Sequence, residues 1–186
     1  MPLDGWDHVE LWVGNAKQAA YYYEHALGFR CTAYAGPETG VRDRASYVLE
    51  QNDIRFVISS SLRRGHEIGD FAGLHGDGVK DIALRVPDAN EAYRQAVQRG
   101  ARGIMEPQTV EDEFGKVVLA SIATYGDVVH TFVDVTPTRA RTCRATWRAS
   151  RPPIPASDCS RSTTSSAMSS SAAWSTGSTS TSGSSG

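Results

Sequence analysis

Residues 7–29 read DHVELWVGNAKQAAYYYEHALGF, and three structural signals follow one another in that stretch. From Asp7 to Val13 the chain alternates, with Val9, Leu11 and Val13 on one face and His8, Glu10 and Trp12 on the other. A period of two marks a half-buried strand, because successive side chains of an extended chain point to opposite sides. Gly14-Asn15 interrupts the pattern, and Asn15 has a side chain suited to accept from the free amides of a helical first turn. Ala16 to Leu27 then continues at helical spacing, with Ala20, Tyr23 and Leu27 along one stripe. Gly28 can adopt left-handed backbone and stops the helix.

Downstream, Phe29–Ala35, Arg44–Gln51 and Ile54–Ser60 read as strands, the last two joined by a tight turn at Asn52-Asp53. Leu62 to Gly78 reads as a polar loop, punctuated by Gly65, Gly69, Gly73, Gly76 and Gly78. The opening pattern then restarts. Val79–Val86 reads as a strand, Asp88 caps a helix over Ala89–Arg99, and Gly100 ends it. After a loop through Pro107, Lys116–Ala123 and Val128–Val133 form a closing strand pair, with a further short strand near Ala101–Met105 as an option. The order is βαβββ followed by βαββ. A small sheet of this kind cannot cover its own open face, and the second unit is available in the same chain to do so. The expected fold class is α+β, built from paired βαβββ modules in one domain spanning residues 1–134.

The net charge of −2 hides a split at Val135. From there on, six arginines (139, 141, 144, 148, 151 and 161) face one acid, Asp158, giving +5 and leaving −7 for residues 1–134. The globular part has no basic run, which excludes nucleic acid as the expected partner. No apolar stretch approaches the length of a membrane span and no charged-then-apolar leader opens the chain, so a soluble, cytoplasmic protein is expected. Cys31 lies in the first part, and Cys143 and Cys159 lie in the tail without metal-ligand spacing.

Residues 135–186 contain no Lys, Glu, Leu, Phe or Tyr and are rich in Ser, Thr, Arg, Ala and Pro. At face value such a segment is disordered, because it cannot bury enough apolar surface to offset chain entropy. Arginine without lysine and tryptophan amid serine suit neither a linker nor a glycosylated stalk. Translation out of frame explains the composition better. If the intended frame begins one base earlier, TCN serines become Ile, Val, Leu or Phe, threonines become Asp, His, Asn or Tyr, and alanines become Gly, Arg, Ser or Cys. One permitted solution for Ser162 to Gly186 is IDHVVGNVELGRMEHWVDFYKRVVG, and the unique codons of Met168 and Trp174 are both compatible with it.

The opening segment resembles that of vicinal-oxygen-chelate modules, the superfamily of glyoxalase I, extradiol dioxygenases and bleomycin-resistance proteins. The stretches SYVLEQNDIRFVISS (46–60), HGDGVKDIALRVPDANEAYRQAVQRGA (75–101) and ATYGDVVHTFVD (123–134) narrow the resemblance. They are similar to the first domain of the 4-hydroxyphenylpyruvate dioxygenase family and of its sister, 4-hydroxymandelate synthase. The recovered IDHVVGNVELGRM string resembles the opening of that family's catalytic half. The resemblance implies a reaction of 4-hydroxyphenylpyruvate, an aromatic α-keto acid, with O2 to give homogentisate and CO2 in tyrosine breakdown. It also implies Fe(II) held by two histidines and one glutamate, a facial triad with three open positions. The sister enzyme hydroxylates the benzylic carbon instead. All three ligands belong to the family's second half. The first would be the histidine of IDH, where this chain reads Thr164, and the others would lie beyond Gly186. On this reading the chain carries no catalytic, cofactor-binding or metal-ligating residue, binds no iron itself and is inactive. The full-length form is expected to be a homo-oligomer. Three alternatives stay open: a fragment of the sister synthase, a metal-free small-molecule binding module of the bleomycin-resistance type, and a defunct pseudogene product with no activity.

One metal question is internal to the first part. His8, Asp81 and His130 fall on expected strands, roughly where metal-binding modules of the superfamily place ligands, and two histidines with a carboxylate suit Fe(II) or Mn(II). The competing reading is that these are remnants, hydrogen-bonded inside a filled sheet. Other candidates carry less. Ser59, Ser60 and Ser61 precede His66 without an orienting acid or a nucleophile elbow. The glycines of HGDG and GPETG lack the strand-then-helix context of a phosphate loop. His75 reads as a turn support, Trp6, Trp12 and Tyr21–Tyr23 as core or interface aromatics, and Glu111, Asp112 and Glu113 as a solvated loop.

Overall fold

The computed structural model describes residues 1–112 and 115–136. Strand β1 spans Gly5–Trp12 and helix α1 spans Ala16–Leu27. Asn15 caps α1 by accepting from the Gln18 amide at 3.0 Å, and Gly28 closes it in the left-handed region at φ 74°. The stripe that α1 buries is Ala16 and Ala20, with Tyr23 packing its ring against Phe29 and Phe56. Leu27, expected on the same stripe, instead lies 48% exposed at the end of the last turn.

Strands β2 (Arg30–Ala35), β3 (Arg44–Gln51) and β4 (Ile54–Ser61) follow, and Asn52 takes φ 52° in the β3–β4 turn. Asparagine tolerates that conformation better than other non-glycine residues. The segment expected to be a loop over Leu62–Gly78 holds helix α2, Glu67–His75. Its cap is unusual: the Nδ1 of His66 accepts from the Ile68 amide at 3.2 Å, and Ile68 is fully buried. One anchored apolar residue fixes a helix that Gly69 and Gly73 would otherwise weaken.

The second module runs β5 (Gly78–Arg85), α3 (Ala89–Gln98), β6 (Gly103–Asp112), β7 (Gly115–Ala123) and β8 (Val129–Thr136). Asp88 caps α3 through two amides, those of Asn90 and Glu91. Strand β6 corrects two expectations. It is ten residues long where a loop with at most a short strand was expected, and it includes Glu111 and Asp112, which were expected in a loop. Pro107 is accommodated because β6 is an edge strand and its pairing with β7 is irregular between Met105 and Gln108. Strand β8 also runs two residues past Asp134, with Val135 opposite Val117 and Thr136 opposite Lys116. Past Thr136, the disordered tail expected for 135–186 lies outside the described residues, as does Glu113.

The eight strands form one sheet in the order β2-β3-β4-β1-β5-β8-β7-β6. That order reads the same from either edge if β1 is matched with β5, β2 with β6, β3 with β7 and β4 with β8. The modules meet at the antiparallel β1–β5 pair, in which Glu10 faces Asp81. Helices α1 and α3 pack on one face through separate aromatic and alanine clusters. On the other face, the small clusters Ala33, Val48, Val57 and Ala83, Val117, Val133 form an apolar floor. Side chains from β3 and from β6 and β7 line the same cavity, so the sheet curls around that second face. This is the architecture that the expected pairing of modules requires. Among the described residues no helix is long and apolar enough to cross a membrane.

Candidate functional site

The alternation of β1 sends Leu11 and Val13 toward α1, and His8, Glu10 and Trp12 into the curl of the sheet. The cavity there has a volume of about 250 Å³ and continues into a wider cleft of about 500 Å³, sharing Glu10, Asp81, Met105 and Thr131 with it. Its polar wall is built from two matching relays. In the first module Ser46 and Ser59 lie 2.8 Å apart, and Ser59 donates to Glu10 at 3.0 Å. In the second, Ser121 and Thr131 lie 2.8 Å apart, and Thr131 donates to Asp81 at 2.5 Å. A hydroxyl has one proton. Ser59 and Thr131 give theirs to carboxylates, so Ser46 donates to Ser59 and Ser121 to Thr131. The matched strands thus carry hydroxyl, hydroxyl and carboxylate twice, ending on the two residues that face each other across β1 and β5. Trp12 Nε1 adds a 3.0 Å bond to Glu10, and the Thr131 amide a 3.0 Å bond to Asp81.

The carboxylates differ in their electrostatics. Burial pushes Asp81 above the usual carboxylate range, and the Glu10 charge adds to it, while the Thr131 bonds and the His8 charge only partly offset this. Asp7 behaves in the opposite way. Burial again raises it, but the His8 hydrogen bond and the charges of His8, Arg55 and Arg85 together outweigh burial and hold it below the usual range. Its side chain is fully enclosed, with His8 Nδ1 at 2.9 Å, Arg55 Nη1 at 3.4 Å and Arg85 Nη2 at 3.4 Å. Arg55 also binds Glu50 at 2.9 Å. Asp7 therefore pins β1 to β4 and β5 at one end of the cavity.

Of the three residues considered for a metal, the structure brings His8 and Asp81 to one cavity and separates His130 from them. His130 shares its face of β8 with Phe132, on the helix side, and its Nδ1 lies 3.0 Å from the Ile82 carbonyl. His8 is turned to Asp7, and Asp81 is engaged by Thr131. Among the described residues no group of three His, Cys, Asp or Glu side chains is placed to hold a metal ion. The donor set does not fit the iron that the resemblance implies.

The serines before His66 are likewise dispersed. Ser59 points into the first relay, Ser61 binds the Arg63 carbonyl at 2.6 Å, and His66 caps α2. His75 ends α2 and pairs with Asp127 at 2.8 Å. Trp12 is buried edge-on against Phe71, whereas Trp6 is exposed. Sequence reasoning missed Asp7, Arg44, Ser46, Thr131 and Ser121. The usable signal was confined to β3, where alternation sets Arg44 and Ser46 opposite the apolar face of Ala45, Tyr47 and Leu49.

A family model described as hydroxyphenylpyruvate dioxygenase, N-terminal, matches residues 1–140. The 4-hydroxyphenylpyruvate dioxygenase of Dictyostelium discoideum is 47% identical over 134 residues, covering 71% of this chain and 36% of the relative. That of Danio rerio is 46% identical over 128 residues, covering 68% and 32%. The chain spans about a third of the length of these curated relatives. Among solved structures, a triple mutant of 4-hydroxymandelate synthase from Streptomyces coelicolor superposes with a TM-score of 0.68 at 28% identity, covering 76% of this chain and 41% of that one. The methylmalonyl-CoA epimerase of Mycobacterium tuberculosis, at 21% identity and TM-score 0.58, covers 73% and 90% and shares the fold.

Proposed function

The chain belongs to the hydroxyphenylpyruvate dioxygenase family through its N-terminal domain, and from that premise we propose that it is the first part of an enzyme converting 4-hydroxyphenylpyruvate and O2 to homogentisate and CO2. The observation that carries this reading is the family match over residues 1–140, where the paired modules lie. The sister reaction is the second reading, favoured by the superposition on 4-hydroxymandelate synthase, but the dioxygenase relatives stand at higher identity. The full-length enzyme is proposed to be a cytoplasmic, iron-dependent homo-oligomer of tyrosine breakdown.

Iron chemistry is assigned to the half of the enzyme that these residues do not form. The described side chains do not fit Fe(II): the candidate histidines sit on opposite faces of the sheet, and Asp81 is consumed by Thr131. This domain's own residues hold two modules in register and keep one cavity open on the curled face. We further infer that residues 135–186 are read out of frame. The support is their composition and the recovery of an IDH strand, with Thr164 standing where the family's first iron-binding histidine would be.

The test is turnover. The pure 186-residue chain, loaded with Fe(II) and given 4-hydroxyphenylpyruvate and O2, is expected to form no homogentisate above the protein-free control. The frame-restored product is expected to form it. Homogentisate from the pure chain would overturn the inactivity, and hydroxymandelate from the restored product would move the family assignment to the sister reaction.

A further inference from the structure

The relay rungs of the two modules match, Ser46–Ser59 with Ser121–Thr131, and the rung before them on the same face does not. There β3 carries Arg44 where β7 carries Leu119, and both line the 250 Å³ cavity. Arg44 is half-buried, and its Nε is fully enclosed yet makes no hydrogen bond among the described residues. The other charged groups in the cavity are engaged. Asp7 is shared by His8, Arg55 and Arg85, Glu10 takes Ser59 and Trp12, and Asp81 takes Thr131. A buried guanidinium nitrogen without an acceptor is costly, and the rest of this half-buried group lines the cavity, where a ligand or water can reach it.

The rest of the wall sets the ligand's character. Val48, Val57, Met105 and Leu119 supply an apolar side, and the serine and threonine hydroxyls have already committed their protons to the relays. The compartment beside Arg44 has about 250 Å³, room for a single ring or a short chain, and opens into the wider cleft past Asp81 and Met105. We propose that this cavity is a binding site for a small monocarboxylate, its anion on Arg44 and its apolar body against Val48, Val57, Met105 and Leu119. A guanidinium matches a carboxylate in charge and in planar geometry. The site needs no metal and stands whichever reaction the full-length enzyme performs.

The probe is benzoate, titrated into the full 186-residue chain by calorimetry, with benzamide as the neutral isostere. Benzoate is expected to bind saturably in the low-millimolar range or tighter and to raise the melting temperature, and benzamide is expected to bind at least about tenfold more weakly. A hydrogen bond to a charged group contributes roughly 1.5–3 kcal/mol, so Arg44→Met is expected to weaken benzoate about ten- to hundredfold, its folding being checked by circular dichroism. Arg44→Lys, which keeps the charge without the planar fork, is expected to fall between the two. Absence of saturation by benzoate, equal binding of benzamide, or unchanged affinity in a folded Arg44→Met variant would each overturn the site.

Discussion

Phe132→Ala is expected to cost about 3–5 kcal/mol, the range for deleting a buried phenyl ring. Phe132 is 1% exposed and closes the second module's core among Leu84, Val118, Ile122 and the alanines of α3. A loss of that size is a large share of the roughly 5–15 kcal/mol that holds most domains together, so much of the variant should be unfolded in mild urea. The informative part is where the loss is felt. The modules share the β1–β5 pair and one continuous sheet, so they should unfold together. Amide hydrogen exchange in β3 and β4, far from the substitution, should accelerate with exchange in β7 and β8. Retained protection in β3 and β4 would show that the modules are independent and that the paired-module account of stability is wrong.

Asp7→Asn is expected to cost about 3 kcal/mol at neutral pH, the lower end for breaking a buried ion pair, because Arg85 is 42% exposed and can recover solvent. The substitution keeps the shape and removes the charge on which His8, Arg55 and Arg85 converge. The pH dependence has a definite sign. The folded state holds Asp7 below its ordinary value of 3.8, so its stabilising contribution is present above that value and is lost as pH falls through the lower folded one. The gap between wild type and Asp7→Asn should therefore be full at pH 7 and narrow below pH 3.8. Asp81, which burial raises, contributes in the opposite sense, with its stability present at low pH and lost as pH rises through the folded value. Thermal melts of both proteins across that range check the point. A gap unchanged down to the acid limit would mean that Asp7 acts through shape rather than charge.

The sequence was most legible where local chemistry and tertiary packing agreed. Helix α1 begins after Asn15 and ends at Gly28 as read, because the cap and the left-handed stop are both local events. Strand β3 also came out at its expected bounds, since its apolar run is buried and its turn is fixed by Asn52. Helix α2 was hidden because two of its nine residues are glycine and its cap is a histidine ring, so only the burial of Ile68 reveals it. Strand β6 was hidden by Pro107 and its charged end, which an edge strand tolerates and a central one would not.

The site shows the same division. The facing of His8 and Glu10 follows from the period of β1, whereas the facing of His130 does not. In VHTFVD each face of the strand carries both polar and apolar residues, so parity is set only by pairing with β5 and β7. The hydroxyl relays depend on matching strands distant in sequence, which no local pattern encodes. The occurrence of two modules was legible in the restart of the strand-helix pattern at Val79, and the family resemblance supplied the reaction, which no pattern of periodicity carries.

The central claim is that a dioxygenase's N-terminal domain is joined at about Val135 to a segment translated in the wrong frame, and the most direct measurement is the base sequence of the coding DNA from the Asp134 codon onward. The account predicts one base gained or lost near that codon, with the repaired frame reading an IDH strand followed by a second module. An uninterrupted frame that encodes Val135 to Gly186 as given would contradict it, and the metal-free binding reading of residues 1–134 would then lead.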